Sequence, residues 1–262
     1  MGTCCGTEEN TNEVRFDPRN TQTKRSSKKK GAGHIPQEFM EVKDDIKDYC
    51  NSIVLKKDKQ FGEFEYKDLK DDGIEREERP MQLISDNARY EGMWIVGQDV
   101  RDGNGVQVWA DGSLYQGAWK KNKANSHGRL IHADGDVYEG NWKNDEAHGK
   151  GTYYHNDGAK YEGEWKYDKQ DGYGKESWPD GSCYVGRYQN GKKHGPGTFY
   201  WADKSMYKGE FKHNKITGVG TYTWADGRVY EGEWKNNKMH GRGRFKWTDG
   251  RTYEGDYEND RK

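Results

Sequence analysis

From about residue 90 to the end of the chain, polar and apolar positions alternate with a period of two, and the alternation itself recurs. Tyr161, Gly163 and Trp165 fall on one face of a strand, while Glu162, Glu164 and Lys166 fall on the other. A second run alternates the same way: Thr221 and Thr223 on one side, Tyr222 and Trp224 on the other. The anchor is a tyrosine. Tyr90, Tyr115, Tyr138, Tyr161, Tyr184, Tyr207, Tyr230 and Tyr253 are 25 residues apart once and 23 residues apart thereafter. Each is followed two positions later by glycine and four positions later by an aromatic: Trp94, Trp119, Trp142, Trp165, Tyr188, Phe211, Trp234, Tyr257.

Two glycine signals punctuate each unit. One is a Gly-x-Gly pair, as in His148-Gly149-Lys150-Gly151 and His240-Gly241-Arg242-Gly243, which reads as a turn. The other is Asp-Gly, as in Asp157-Gly158 and Asp226-Gly227, where positive φ is tolerated and a hairpin closes. The pattern therefore predicts strand, turn, strand, turn. The fold class is all-β: an elongated single-layer antiparallel meander of 23-residue hairpins over 81–262, seven full units and a partial eighth. The chain stops after the first strand of that eighth unit, which leaves an edge strand open for pairing. The glycine between two aromatics on one strand face calls for a cover, and Tyr222 and Trp224, or their equivalents from a neighbouring strand, are the candidates.

The segment Tyr230-Glu-Gly-Glu-Trp-Lys-Asn-Asn-Lys-Met-His-Gly-Arg-Gly243, with Asp249-Gly250 behind it, resembles the MORN repeat (membrane occupation and recognition nexus). Copies depart locally: two extra residues lie between Trp94 and Gly103, Asn125-Ser126 stands where His-Gly is usual, and Lys204 replaces the turn glycine after Asp203. The resemblance implies a scaffold or tethering protein at a membrane, cilium or cytoskeletal structure. In family members that are enzymes, separate domains do the chemistry, and no stretch of this sequence is left over for one. The expectation is a non-enzyme with no catalytic residues. The partner is then a peptide or helix of another protein, laid on the aromatic face formed by Tyr138, Trp142, Tyr161, Trp165, Tyr184, Trp201, Tyr207, Trp224, Tyr230 and Trp234. A homodimer through sheet edges is a further reading.

Upstream the pattern changes. Residues 1–33 are rich in Thr, Asn, Ser, Lys and Gly and read as a disordered tail. Phe39, Val42, Ile46, Tyr49 and Ile53 follow at spacings of 3 and 4, which predicts an amphipathic helix within 34–58. It either packs on the repeat sheet or docks on a partner. Residues 59–80 read as a charged connector in which Phe61, Phe64 and Tyr66 could make a short strand.

Composition narrows the picture. Only 30% of the 262 residues are hydrophobic, but 18 Tyr, 10 Trp and 35 Gly fit a thin sheet with tight turns better than a thick aliphatic core. A net charge of -1 gives no reason to expect nucleic acid. No apolar run is long enough for a membrane-spanning helix. Cys4, Cys5, Cys50 and Cys183 form neither a disulfide framework nor a zinc pattern. His148, His194 and His240 recur every 46 residues, but four strands at about 4.8 Å separate neighbours, so no metal or other cofactor is expected.

The N-terminal tip carries the sharpest local chemistry. Met1-Gly2-Thr3-Cys4-Cys5 offers Gly2 for N-myristoylation and Cys4 and Cys5 for palmitoylation, although Gly6 stands where the pattern usually has Ser or Thr. One acyl chain binds membrane marginally, so a second signal is required, and Lys24, Arg25, Lys28, Lys29 and Lys30 supply an electrostatic one. The sequence thus predicts a scaffold held at the cytoplasmic face of a membrane. The alternative is an axonemal, ciliary or cytoskeletal scaffold docked through protein contacts.

Overall fold

The computed structural model describes residues 44–67 and 71–262. Among the described residues sixteen strands follow in sequence order in one antiparallel sheet, each paired with its neighbours in the chain. The chain divides into two compact units, the first ending at Glu146 and the second running Ala147–Lys262.

The first unit holds β1 (Arg76–Leu83), β2 (Arg89–Ile95), β3 (Arg101–Val108), β4 (Leu114–Lys120), β5 (Lys123–Ile131) and β6 (Val137–Lys143). The second holds β7 (Glu146–Tyr154, opening at the boundary), β8 (Lys160–Lys166), β9 (Lys169–Ser177), β10 (Cys183–Gln189) and β11 (Lys192–Tyr200). It continues through β12 (Met206–Lys212), β13 (Lys215–Thr223), β14 (Val229–Lys235), β15 (Lys238–Lys246) and β16 (Thr252–Tyr257). The sheet starts at Arg76, five residues ahead of the expected 81, because β1 pairs with β2 without carrying the tyrosine motif.

One turn differs from the sequence expectation. His240-Gly241-Arg242-Gly243 lies inside β15 and does not turn the chain. The turn is Lys235-Asn236-Asn237-Lys238, where Asn236 and Asn237 have φ of 50° and 69°. Two consecutive positive φ values define the two-residue hairpin whose twist matches the flanking strands. Gly241 (φ 65°) instead makes a bulge: Trp234 pairs Met239 and Gly232 pairs Gly243, so two extra residues on β15 lie between these pairs. The second turn residue has another task. Asn237 Oδ1 accepts from Ile216 N at 2.7 Å, Asp260 Oδ1 from Met239 N at 2.8 Å, and in the first unit Asp145 Oδ1 from Ala124 N at 2.7 Å. Each hairpin is stapled to the preceding one, which explains why a short side-chain oxygen recurs there.

The cover over the strand glycines also differs. It is the tyrosine of the same motif, not Tyr222 or Trp224. Gly163 and Gly174 face each other across β8 and β9, and the Tyr161 ring lies along its own strand over both. A Cβ on Gly163 would meet the Tyr161 hydroxyl at 2.6 Å. That hydroxyl donates to the Glu164 carbonyl at 3.0 Å, and Tyr184 and Tyr230 bond Arg187 and Glu233 in the same way. The partner aromatic then locks the ring. Trp165 meets Tyr161 edge to face at 5.1 Å and donates its indole N–H to the Gly151 carbonyl at 3.1 Å. Tyr161 also meets Tyr188 of the next repeat at 5.1 Å, so the T-shaped contacts continue from repeat to repeat. Such pairs add about 0.5–1.5 kcal/mol each beyond their buried area, and they replace an aliphatic core.

Residues 44–67 form two short helical elements where the sequence predicts one helix over 34–58. A 3₁₀ turn spans Ile46–Tyr49 and α1 spans Ser52–Phe61. The break has a local cause: Asp45 caps the first by accepting from Lys47 N, and Asn51 caps the second by accepting from Val54 N at 2.9 Å. The restart turns Ile53 outward, 46% exposed, and buries Val54 completely. Phe39 and Val42 lie outside the described residues. Gly62 (φ 74°) ends α1, and Phe61, Phe64 and Tyr66 form no strand.

This segment covers one face of the first unit. Asn51 donates its side-chain amide to Ala133 O at 3.0 Å, and Arg129 Nη1 donates to Gly62 O at 2.8 Å. Phe64 stacks on His127 at 5.5 Å, and the Arg89 guanidinium lies 3.6 Å above the Tyr49 ring. Beneath it the row Val108, Leu114, Ile131, Val137, paired strand to strand, is 0–1% exposed.

Candidate partner-binding surface

Each hairpin of the second unit presents two aromatic layers on one face. The inner layer is the Tyr–Trp set just described. The outer layer stands on β9, β11, β13 and β15 and on the residue that follows each: Trp178, Phe199, Trp201, Tyr222, Trp224, Phe245, Trp247. The rings form a continuous row, with centroids 5.5 Å apart for Trp178–Phe199 and 4.6 Å for Phe199–Trp201. The spacing is 5.1 Å for Trp201–Tyr222, 4.6 Å for Tyr222–Trp224, 5.2 Å for Trp224–Phe245 and 4.6 Å for Phe245–Trp247.

Local chain chemistry puts each tryptophan there. It is the first residue of the Asp-Gly turn (Asp203-Lys204 for Trp201), so Gly227 N donates to Trp224 O at 2.9 Å while Trp224 N donates to Arg228 O. Asp226 accepts from the backbone and guanidinium of Arg228, which holds its carboxyl below the usual range. The indole is thereby fixed at the rim of the sheet with one edge in solvent. Trp178, Trp201, Trp224 and Trp247 are all half-buried.

At its start the row meets a polar cluster. Where other copies have Phe199, Tyr222 or Phe245, this one has Glu176, which is buried. Glu176 Oε2 accepts from Lys193 Nζ at 2.7 Å and from the Tyr188 hydroxyl at 2.9 Å. Burial, followed by the charge of Glu176, pushes the Tyr188 hydroxyl well above its ordinary pKa. The Lys193 ammonium sits 4.9 Å from the Trp178 ring. A satisfied buried pair of this kind fixes local packing; it leaves no free acid or base for chemistry.

The ten aromatics expected to face a partner do not stand together on a surface. Tyr138, Tyr161, Tyr184, Tyr207 and Tyr230 are 0% exposed, and Trp142, Trp165 and Trp234 are 2–4% exposed. They are inner-layer residues, fully used in holding the glycines and one another. Trp201 and Trp224 do reach the surface. Trp178, Phe199 and Trp247 belong with them, with Phe245 buried beneath, and sequence reasoning missed all four. The signal was present, since 178, 201, 224 and 247 share the 23-residue spacing. Gly2, Cys4, Cys5, Lys24, Arg25, Lys28, Lys29 and Lys30 lie outside the described residues. Among the described residues no group of three His, Cys, Asp or Glu is placed to hold a metal ion, and no helix is long and apolar enough to cross a membrane.

Hairpins in sequence order, stapled to one another and sharing an aromatic ladder within each unit, define a repeat protein with an open sheet. The MORN repeat model matches residues 90–114, 115–137, 138–160, 161–183, 184–206, 207–227 and 230–250, and the chain belongs to the MORN-repeat family. A search of curated proteins finds no match. Among solved structures, the chain is similar to the SAS-4 (dCPAP) TCP domain of Drosophila melanogaster, solved in complex with a proline-rich motif of Ana2 (dSTIL). That likeness has 17% identity and a TM-score of 0.34, covering 68% of this chain and 88% of that one. A CPAP G-box domain matches at 13% identity and a TM-score of 0.32, covering 68% and 98%. A streptogramin B lyase matches at 11% identity and a TM-score of 0.17, covering 68% of each chain. Scores this low carry no functional argument.

Proposed function

We propose that this chain is a non-enzymatic scaffold. Its repeat sheet holds a protein partner, and its N-terminus ties the assembly to the cytoplasmic face of a membrane. The observation that carries the first half is the outer aromatic row of the second unit: seven contiguous aromatic residues, with Tyr222 and Phe245 buried between four half-exposed indoles. Half-exposed indoles recurring along a row of that length mark an interaction surface. Membership in the MORN-repeat family supports the same reading.

The second half rests on the tip sequence. Gly2 accepts a myristoyl chain, Cys4 or Cys5 a second acyl group, and the Lys24–Lys30 cluster contributes about 1 kcal/mol per basic residue near an anionic leaflet. The test is membrane fractionation of full-length protein beside Gly2→Ala. Wild type pelleting with membrane while the variant turns soluble supports the tether. Both pelleting with detergent-insoluble material overturns it in favour of an axonemal or cytoskeletal scaffold.

A further inference from the structure

We infer that the outer aromatic row of the second unit binds a proline-rich segment in the polyproline II conformation, with acidic residues near one end. This rests on the reading of the sheet as a protein-binding surface and names the chemistry of the partner.

Spacing is the first argument. Trp178, Trp201, Trp224 and Trp247 occupy the same position in four consecutive repeats, two strands apart each time. Two strand spacings come to about 9.6 Å. A polyproline II chain repeats every three residues, about 9.3 Å. The mismatch is about 0.3 Å per repeat and about 1 Å over the row. An α-helix presents the same face at i, i+7, about 10.5 Å, and drifts by about 3 Å over the same distance. Prolines at i, i+3, i+6 and i+9 of a ten-residue segment therefore stay in step with the indoles.

Hydrogen bonding is the second argument. The inner-layer indoles are occupied: Trp142, Trp165 and Trp234 donate to Gly128, Gly151 and Gly220 carbonyls. The outer-layer indoles of Trp178, Trp201, Trp224 and Trp247 have no N–H acceptor among the described residues. They form four free donors at a fixed interval. A polyproline II backbone has no internal hydrogen bonds, so its carbonyls are free to accept, whereas the carbonyls of a helix are already used. Phe199, Tyr222 and Phe245 lie between consecutive indoles and give the pyrrolidine rings an apolar floor.

Charge sets the composition. Arg228 lies 5.3 Å from the Trp224 ring but is ion-paired to Asp226, whereas Lys262 lies 4.1 Å from the Trp247 ring with no ion pair among the described residues. Arg251, 5.8 Å from Trp247, is likewise paired with Asp249. The unpaired Lys262 ammonium at the Trp247 end calls for a carboxylate between the prolines there.

The test is fluorescence anisotropy on the full-length chain with a labelled peptide of four Asp-Pro-Pro repeats, beside a control of four Asp-Gly-Gly repeats. The expected result is saturable binding of the proline peptide and at least tenfold weaker binding of the glycine peptide, which has the same charge but must be ordered. The double variant Trp201→Ala/Trp224→Ala weakens the proline peptide at least tenfold. Trp201→Phe/Trp224→Phe keeps the rings, removes the donors and weakens it several-fold, and it decides the matter if the alanine variant fails to fold. Equal binding of the two peptides, or no effect of the phenylalanine variant, overturns the inference. Binding of an amphipathic helical peptide to the row, with none of the proline peptide, overturns it too while leaving the protein-binding reading intact.

Discussion

The two units share one skeleton and differ in what they do with their surfaces. Tyr115 and Tyr207 lie over their glycines in the same way, and Asp145 and Asn237 staple their hairpins in the same way. The row reads Val108, Leu114, Ile131, Val137 in the first unit, and the equivalent repeat positions in the second are Cys183, Tyr200, Met206, Thr223 and Val229, all half-exposed or exposed. In the first unit the row is aliphatic and residues 44–67 seal it. On the opposite face the order reverses. The first unit has one half-exposed tryptophan at the rim, Trp109, and otherwise Gln107, Leu130 and His132 where the second has Phe199, Tyr222 and four half-exposed tryptophans. The lesson is that the Tyr-x-Gly-x-Trp motif fixes the hairpin, while the positions between motif residues decide which face each unit leaves open.

The largest expected effect tests that division directly. Leu114→Ala opens a cavity under α1 and costs about 3 kcal/mol. Met206→Ala, at the same position of a later repeat but half-exposed, costs about 1 kcal/mol or less. Urea unfolding of both variants gives the two numbers, and equal losses break the comparison. A smaller effect probes the shared skeleton. Lys204 holds φ 73° where the other Asp-Gly turns have glycine. Lys204→Gly removes left-handed strain and stabilises the second unit by about 1 kcal/mol, read as a rise in Tm.

The smallest effect belongs to the first unit alone. His132 Nε2 is buried, and burial lowers the imidazole pKa below 6.5. The unfolded chain then binds the proton more readily than the folded one. Stability is full above about pH 6.5 and falls as the pH drops below it. Hydrogen exchange at pH 7 and pH 5.5 shows the loss in β5 and β6, and His132→Gln removes this contribution.

Much of this was legible in the sequence. The 23-residue period, the Asp-Gly turns and the antiparallel meander follow from Tyr138, Tyr161, Tyr184 and their glycines. Three things were not. Glycine marks turns and bulges alike, so Gly241 and Gly243 read as a turn while the less conspicuous Asn236-Asn237 made it. Periodicity assigns a residue to a face but not to a depth, so Tyr161 and Trp224 looked equivalent although one lies flat on glycine and the other stands at the rim. The stripe from Phe39 to Ile53 kept a helical period across Asn51, whose side chain gains more by capping a new helix than by continuing the old one.

The central claim is that the second unit keeps an outer row of tryptophans open to solvent above a sealed inner row. Hydroxyl-radical footprinting of the full-length chain, read residue by residue by mass spectrometry, tests it most directly. The account predicts strong labelling of Trp178, Trp201, Trp224 and Trp247, and protection of Trp165 and Trp234. Equal protection of both sets would contradict it, because the outer row would then already be covered.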